Sequence, residues 1–248
     1  MWNNILFIWA VIIHLLLTVS HASDEILIIT EEWPPYNYSI DEKIAGFSTE
    51  IVKSILKVMH KEYELQVVPS MRAKALLENR PQTMMFSMFR TPEREAQYKW
   101  IGPLVDVSIY FYKRKDRQIK IESLADLKNE KLTVCCRHAG LIHDLLEEKG
   151  FNNLHSTATK GLSIYKMLLA GRCDIAISDA DLGVRHNLHL LNIKLDDVFE
   201  KIPIPILEAE LYIVGSKDIS DEEIQQWQSA LDTLKHNGVY DKILQTYL

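Results

Sequence analysis

Cysteine is scarce: the 248 residues hold three, Cys135, Cys136 and Cys173, too few and too oddly spaced for a disulfide framework or a zinc site. Cys135 and Cys136 fall at the expected end of one strand, and Cys173 precedes the next. In a parallel sheet such positions lie roughly 13 Å or more apart, and a bridge needs Cα atoms within about 7 Å, so no Cys136–Cys173 bridge is expected. A Gly-x-Ser-x-Gly elbow and a phosphate-cradling Gly-Lys-Ser/Thr loop are also missing, which removes common nucleophilic and nucleotide-hydrolysing chemistries. Positive charge is in short supply: the formal net charge is -6, so no nucleic-acid partner is expected, since phosphate contacts require a basic face. His186 and His189, and His138 and His143, are closely spaced pairs. Neither has a further ligand placed to complete a tetrahedral set, so no metal or other cofactor is expected.

Residues 1 to 22 lack Asp, Glu, Lys and Arg altogether. The apolar run from Ile5 to Val19 has the length of a signal-peptide core, and Ser20-His21-Ala22 places small residues before a cut at Ser23. It is shorter than the ~20 residues of a spanning helix; the reading is export through a cleaved leader, with an uncleaved anchor as the alternative. The first cysteine lies far downstream, so no lipid-accepting cysteine follows the leader. Free periplasmic solubility as a monomer is the resulting expectation.

What is present is an ordinary globular composition, 47% hydrophobic and 25% charged. Ile26-Leu27-Ile28-Ile29 reads as a strand buried on both faces. Trp33-Pro34-Pro35-Tyr36 is a stiff loop because its prolines fix φ. From Gly46 a helix follows, with Phe47, Ile51, Ile55 and Met59 on one stripe. Leu65 to Val68 reads as strand, Met71 to Asn79 as helix and Met84 to Met88 as strand, an order that implies a parallel sheet with helices on both faces. A β-rich segment, Ser108 to Tyr112, leads to a second series: strands at Leu132 to Cys135, Leu154 to Ser156 and Ile175 to Ser178, with helices around Leu141 to Lys149 and Leu162 to Ala170. Leu211 to Val214 is a further strand, and Ser220-Asp221-Glu222-Glu223 a capping box. Ligands of such sheets bind beyond the carboxyl ends of the strands, which directs attention to residues 33–36, 86–94, 137–140 and 179–181. Arg94, after the Thr91-Pro92 turn, has the planar fork suited to a carboxylate.

Five segments, taken in order, carry a resemblance: Trp33-Pro34-Pro35-Tyr36, Gly46-Phe47-Ser48-Thr49-Glu50, Thr91-Pro92-Glu93-Arg94, Gly171-Arg172-Cys173-Asp174 and the tail from Asn237 to Leu244. The chain from Glu25 to Leu248 resembles the bacterial extracellular solute-binding proteins of family 3, the periplasmic amino-acid-binding receptors of ABC importers. The resemblance implies an α/β, two-lobed type II periplasmic-binding-protein fold, each lobe a mostly parallel sheet flanked by helices. Lobe one would be residues 24–107 and 208–248, lobe two 108–207, with hinge crossings near 105–112 and 203–210. It implies a receptor that is not an enzyme and closes around a small carboxylate-bearing solute for import. Arg94 would take an α-carboxylate, Asp179 an α-ammonium and Trp33 the solute's side chain, with Ser87 also in the ligand site, while Glu50 and Asp174 read as structural.

Departures from the family pattern shape the site. Phe89 stands where a hydroxyl residue is usual, Arg137 and His138 where Gly-Thr or Ser-Thr is usual, and Arg72 falls at the cleft wall. With Arg90 and Arg94 these arginines would make an unusually positive cleft, suited to a solute more anionic than a zwitterionic amino acid, unless they pair with nearby acids, as is expected for Arg90. Two alternatives stand beside the receptor. One is an enzyme on the same fold, resembling cyclohexadienyl dehydratases, with Asp179 or His138 as acid or base. The other is a ligand-sensing domain for a different membrane partner.

Overall fold

The structure is a computed structural model, described here for residues 26–247. The proposed leader, residues 1 to 22, lies outside the described residues. Among the described residues no helix is long and apolar enough to cross a membrane.

The apolar run at the start becomes β1 (Leu27–Thr30), which pairs in parallel with β4 (Glu64–Val67) and β5 (Thr83–Phe89). Both faces of β1 are covered. Ile26 and Ile28 pack with Phe47, Ile51 and Ile55 of α1 (Phe47–Met59), and Leu27 and Ile29 pack with Ala73 and Leu77 of α2 (Ser70–Asn79). A small hairpin, β2 (Tyr38–Ile40) and β3 (Lys43–Ala45), connects the proline loop to α1. That connection passes through Gly46 at φ 116°, where a Cβ would stand 2.4 Å from the Tyr36 carbonyl oxygen. Only glycine allows the loop to lie this close to the helix start.

Two long strands run through the middle of the sheet: β6 (Lys99–Arg114) and β10 (Phe199–Gly215), paired antiparallel along their length. At ~3.3 Å per residue each spans about 50 Å, enough to serve both halves of the molecule. β10 pairs with β5 at one end, and β6 pairs with β9 (Ile175–Ala176) at the other. Beyond β9 lie β7 (Val134–Arg137) and β8 (Leu154–Ala158), both in parallel register. The full order is β4-β1-β5-β10-β6-β9-β7-β8, two parallel α/β groups joined by two crossings, as expected from the alternation of elements. β6 is longer than the β-rich segment Ser108 to Tyr112 expected from the sequence, and it continues through Gly102-Pro103. The register steps from Leu211↔Val105 to Ile213↔Ile101, so Gly102, Pro103 and Leu104 sit in a bulge, where a proline's missing donor costs no ladder bond.

Of the remaining helices, α5 (Leu141–Glu148), α6 (Gly161–Leu169) and α9 (Asp221–His236) fall close to expectation, whereas α3 (Pro92–Glu95), α4 (Leu124–Leu127), α7 (Asp181–His189), α8 (Leu195–Val198) and α10 (Val239–Tyr247) are not among the elements expected from the sequence. α10 returns to the first half, where Tyr240 and Tyr247 meet the Phe47 ring edge-on. The α9 cap is simpler than a capping box. Ser220 accepts from the Glu223 amide, but the Glu223 carboxylate is taken by Lys61, Tyr63 and Trp227.

The cysteines require a correction. Cys135 and Cys173 form a disulfide with Cα atoms 5.8 Å apart, and Cys136 is free and buried. β7 begins two residues later than expected, and its register pairs Val134 with Ile175 and Cys135 with Ala176. Cys135 therefore lies at the start of its strand beside the turn that carries Cys173, and the separation argued from strand ends does not arise.

Candidate functional site

A cleft of about 630 Å³ lies beyond the carboxyl ends of β1 and β5, facing β7 and the first turn of α5. Its first wall includes Glu31, Trp33, Asn37, Ser87, Phe89 and Arg94, and its second includes Arg137, Gly140 and Ser178. Of the residues expected in the site, the structure brings Trp33, Ser87, Phe89, Arg94 and Arg137 to this cleft. Arg72 is exposed on α2 and does not line it; His138 is exposed as well, its Nδ1 donating to the Ser156 carbonyl at 3.0 Å.

The first wall is set by β5. In its pairing with β10, Met88 faces Tyr212 and Phe86 faces Ile213, so Ser87 is the extra residue of a bulge, at φ 65°. The bulge residue lines the cleft. Ser87 is 9% exposed, and its hydroxyl has no hydrogen-bond partner among the described residues. Non-glycine residues adopt this conformation at a cost of roughly 1–2 kcal/mol, and such strain gathers at ligand sites. Two residues on, Phe89 packs against Trp33 with ring centroids 5.6 Å apart. Its carbonyl accepts from Arg94 Nη1 at 3.3 Å. Arg94 makes no ion pair among the described residues, so its fork stays open to the cleft.

Arg90 behaves otherwise. Nε and Nη2 each donate to Glu95 at 2.6 Å, and the guanidinium lies over the Trp100 and Tyr212 rings. With Arg72 and Arg90 outside the cleft, the lining carries the guanidiniums of Arg94 and Arg137 against the carboxylates of Glu31, Glu32 and Glu93. The expected surplus of positive charge is therefore absent from the lining.

Asp179 is 1% exposed and does not line the cleft. Oδ1 accepts from Arg137 Nη2 at 2.5 Å, and Oδ2 from the Tyr165 hydroxyl and the Asn187 amide at 3.3 Å each. Arg137 Nε donates to the Ser178 hydroxyl at 2.9 Å, so the guanidinium lies between Asp179 and the solvent. Asp174 accepts from the Thr133 amide and pairs with Arg117, a role in the fold. Glu50 pairs with Lys53.

Asn37 and Ser178 were missed by the sequence reading. Asn37 Nδ2 donates to the Glu31 carbonyl at 2.5 Å, which turns Oδ1 the other way, buried and without a partner among the described residues. The available signal was position: Asn37 directly follows the rigid proline loop at a strand end. Among the described residues one set of possible metal ligands gathers, His143, Asp144 and Glu147, of which the two carboxylates are exposed.

Two parallel α/β groups, two crossing strands and a cleft between the groups define a two-lobed periplasmic-binding-protein fold. The family model for bacterial extracellular solute-binding proteins, family 3, matches residues 26–248, and the chain belongs to that family. An arginine-binding periplasmic protein of Mannheimia haemolytica is 23% identical, with 93% of each chain covered. Among solved structures, a binding component of an ABC transporter from Wolinella succinogenes, complexed with lysine, is 18% identical with a TM-score of 0.73, covering 90% of this chain and 95% of that one. A histidine kinase sensor domain similar to periplasmic binding proteins is 20% identical with a TM-score of 0.73, covering 90% and 96%.

Proposed function

We propose that this chain is a receptor, exported through a cleaved leader and acting as a monomer outside the cytoplasm. It closes around a small carboxylate-bearing solute of the amino-acid type and delivers it to an ABC importer. The observation that carries this reading is Arg94: a guanidinium anchored to its own strand end, without an ion pair among the described residues, beside the partnerless hydroxyl of Ser87. A planar fork next to a hydroxyl in a half-apolar cleft is a carboxylate site. The arginine- and lysine-binding relatives support an amino-acid solute. Contacts from both walls would favour the closed form, with β6 and β10 as the crossings that bend.

Binding without turnover is the better supported reading. The groups nominated as acid or base by the enzyme alternative, Asp179 and His138, do not line the cleft. The test is a thermal-shift screen of amino acids, dicarboxylates and small acidic peptides, with the small molecule recovered and analysed afterwards. A solute at 100 times its Kd stabilises by ~2.7 kcal/mol, enough to read. An unchanged solute that raises the Tm supports the receptor; a transformed one, or no shift with any member, rejects it.

A further inference from the structure

The second wall differs from what an α-ammonium partner would require. Asp179 is enclosed: Arg137, Tyr165 and Asn187 all donate to its oxygens, and two glycines close in on it. A Cβ at Gly161 would stand 2.2 Å from Asp179 Oδ2, and one at Gly183 2.7 Å from Asp179 Cβ. The chain gives up side chains on two helices so that this carboxylate can sit deep and fully bonded. A solute amine reaching it would have to displace a guanidinium held at two points.

Arg137 presents the opposite picture. Nε is fixed by Ser178 and Nη2 by Asp179, yet the side chain keeps 32% of its surface exposed and lines the cleft. A guanidinium locked this way loses little freedom when it binds, and its remaining N–H groups are directed by the two it has already committed. An acceptor for a solute's own donors lies on the other wall at the Glu31 carboxylate, which also accepts from the Ser70 hydroxyl.

We infer that Arg137, and not Asp179, is the second lobe's contact with the solute. The solute is then gripped as an anion from both sides, by Arg94 and Arg137, and an α-amine is dispensable. Asp179 is a positioning residue that orients Arg137. This rests on the receptor reading above and narrows it to carboxylates in which a hydroxyl can stand where an amino acid has its amine.

The experiment compares wild-type affinity, by calorimetry, for amino acids and their α-hydroxy analogues, beginning with glutamate and arginine and extending to any amino acid that shifts the Tm. An α-hydroxy acid that binds less than about tenfold more weakly than its amino acid, a difference under 1.4 kcal/mol, supports the inference. A larger loss overturns it while leaving the receptor intact. If no amino acid or α-hydroxy acid binds, this inference fails, and the receptor reading fails with it only when no other member of the screen raises the Tm. Arg137→Gln gives an independent reading: affinity for both members of a pair should fall by about thirtyfold or more, as for loss of a desolvated charged contact. Unchanged or tighter amino-acid binding would mean that the freed Asp179 is the true contact. Circular dichroism reports whether the variant folds, and the wild-type comparison stands either way.

Discussion

Arg94 is tied to the end of its own strand by a 3.3 Å hydrogen bond from Nη1 to the Phe89 carbonyl, five residues back. The Thr91-Pro92 turn between them starts α3 and folds the side chain back over β5. This arrangement fixes the guanidinium with one donor and leaves the rest for a solute. Arg94→Ala should therefore weaken binding of any solute found in the screen by ~2–5 kcal/mol, the range for removing one member of a desolvated charge pair. Arg94→Lys should recover only part of that, because an ammonium cannot make paired parallel bonds. Titration calorimetry checks both, and equal affinity in the alanine variant would remove Arg94 from the site.

Ser87 couples stability and binding in opposite directions. Its positive φ and partnerless hydroxyl are both unfavourable in the free protein. Ser87→Gly removes the backbone strain and the orphaned group together, and should stabilise the free protein by about 1 kcal/mol. The same change removes a cleft hydroxyl, so affinity should fall. Urea midpoints and calorimetry on one variant read the two effects; a destabilised Ser87→Gly protein would show that the bulge is held for packing.

The disulfide closes a separation of 38 residues between the start of β7 and the turn before β9. Loop-closure entropy for that length gives about 4 kcal/mol of stabilisation. Cys135→Ala with Cys173→Ala should lose a large part of that in denaturant unfolding, with the loss confined to the second lobe if the lobes unfold separately. Cys136 should behave differently from its neighbour. Burial pushes its thiol up to about 11, so it should resist alkylation in the folded protein and react only on unfolding.

These examples show where the sequence was informative. The four-residue apolar run of β1 announced burial on both faces because strand periodicity is a local property. Trp33, Ser87, Phe89, Arg94 and Arg137 lie in segments that topology puts at the strand ends, and within those segments the family resemblance singled them out. Partners were harder to read. Arg90 lies four residues from Arg94, yet one is bound to Glu95 and the other is open, a difference set by which way each side chain leaves the turn. Asp179 and Arg137 are 42 residues apart, and their pairing depends on the packing of α6 and α7 around the carboxylate. No Cys136–Cys173 bridge forms, as expected, but the Cys135–Cys173 bridge was not foreseen, because the separation argument placed the strand boundary two residues too early.

His186 on α7 meets the Tyr38 ring of β2, with centroids 5.9 Å apart, and so joins the two lobes. Burial, reinforced by the neighbouring His189, lowers its pKa below the ordinary 6.5, while the Asp179 charge opposes the shift. Its folded-state pKa lies below the unfolded one, so the unfolded chain takes up a proton first as pH falls. The resulting stabilisation is complete well above 6.5 and is lost as pH drops through that value toward the lower folded pKa. Carboxylates held below their usual range, such as Asp218, lose their contribution only at more acid pH, so the windows separate. Urea midpoints taken between about pH 7.5 and pH 5 should therefore fall more steeply for the wild type than for His186→Gln. Parallel curves would mean that His186 is equally accessible to protons in both states.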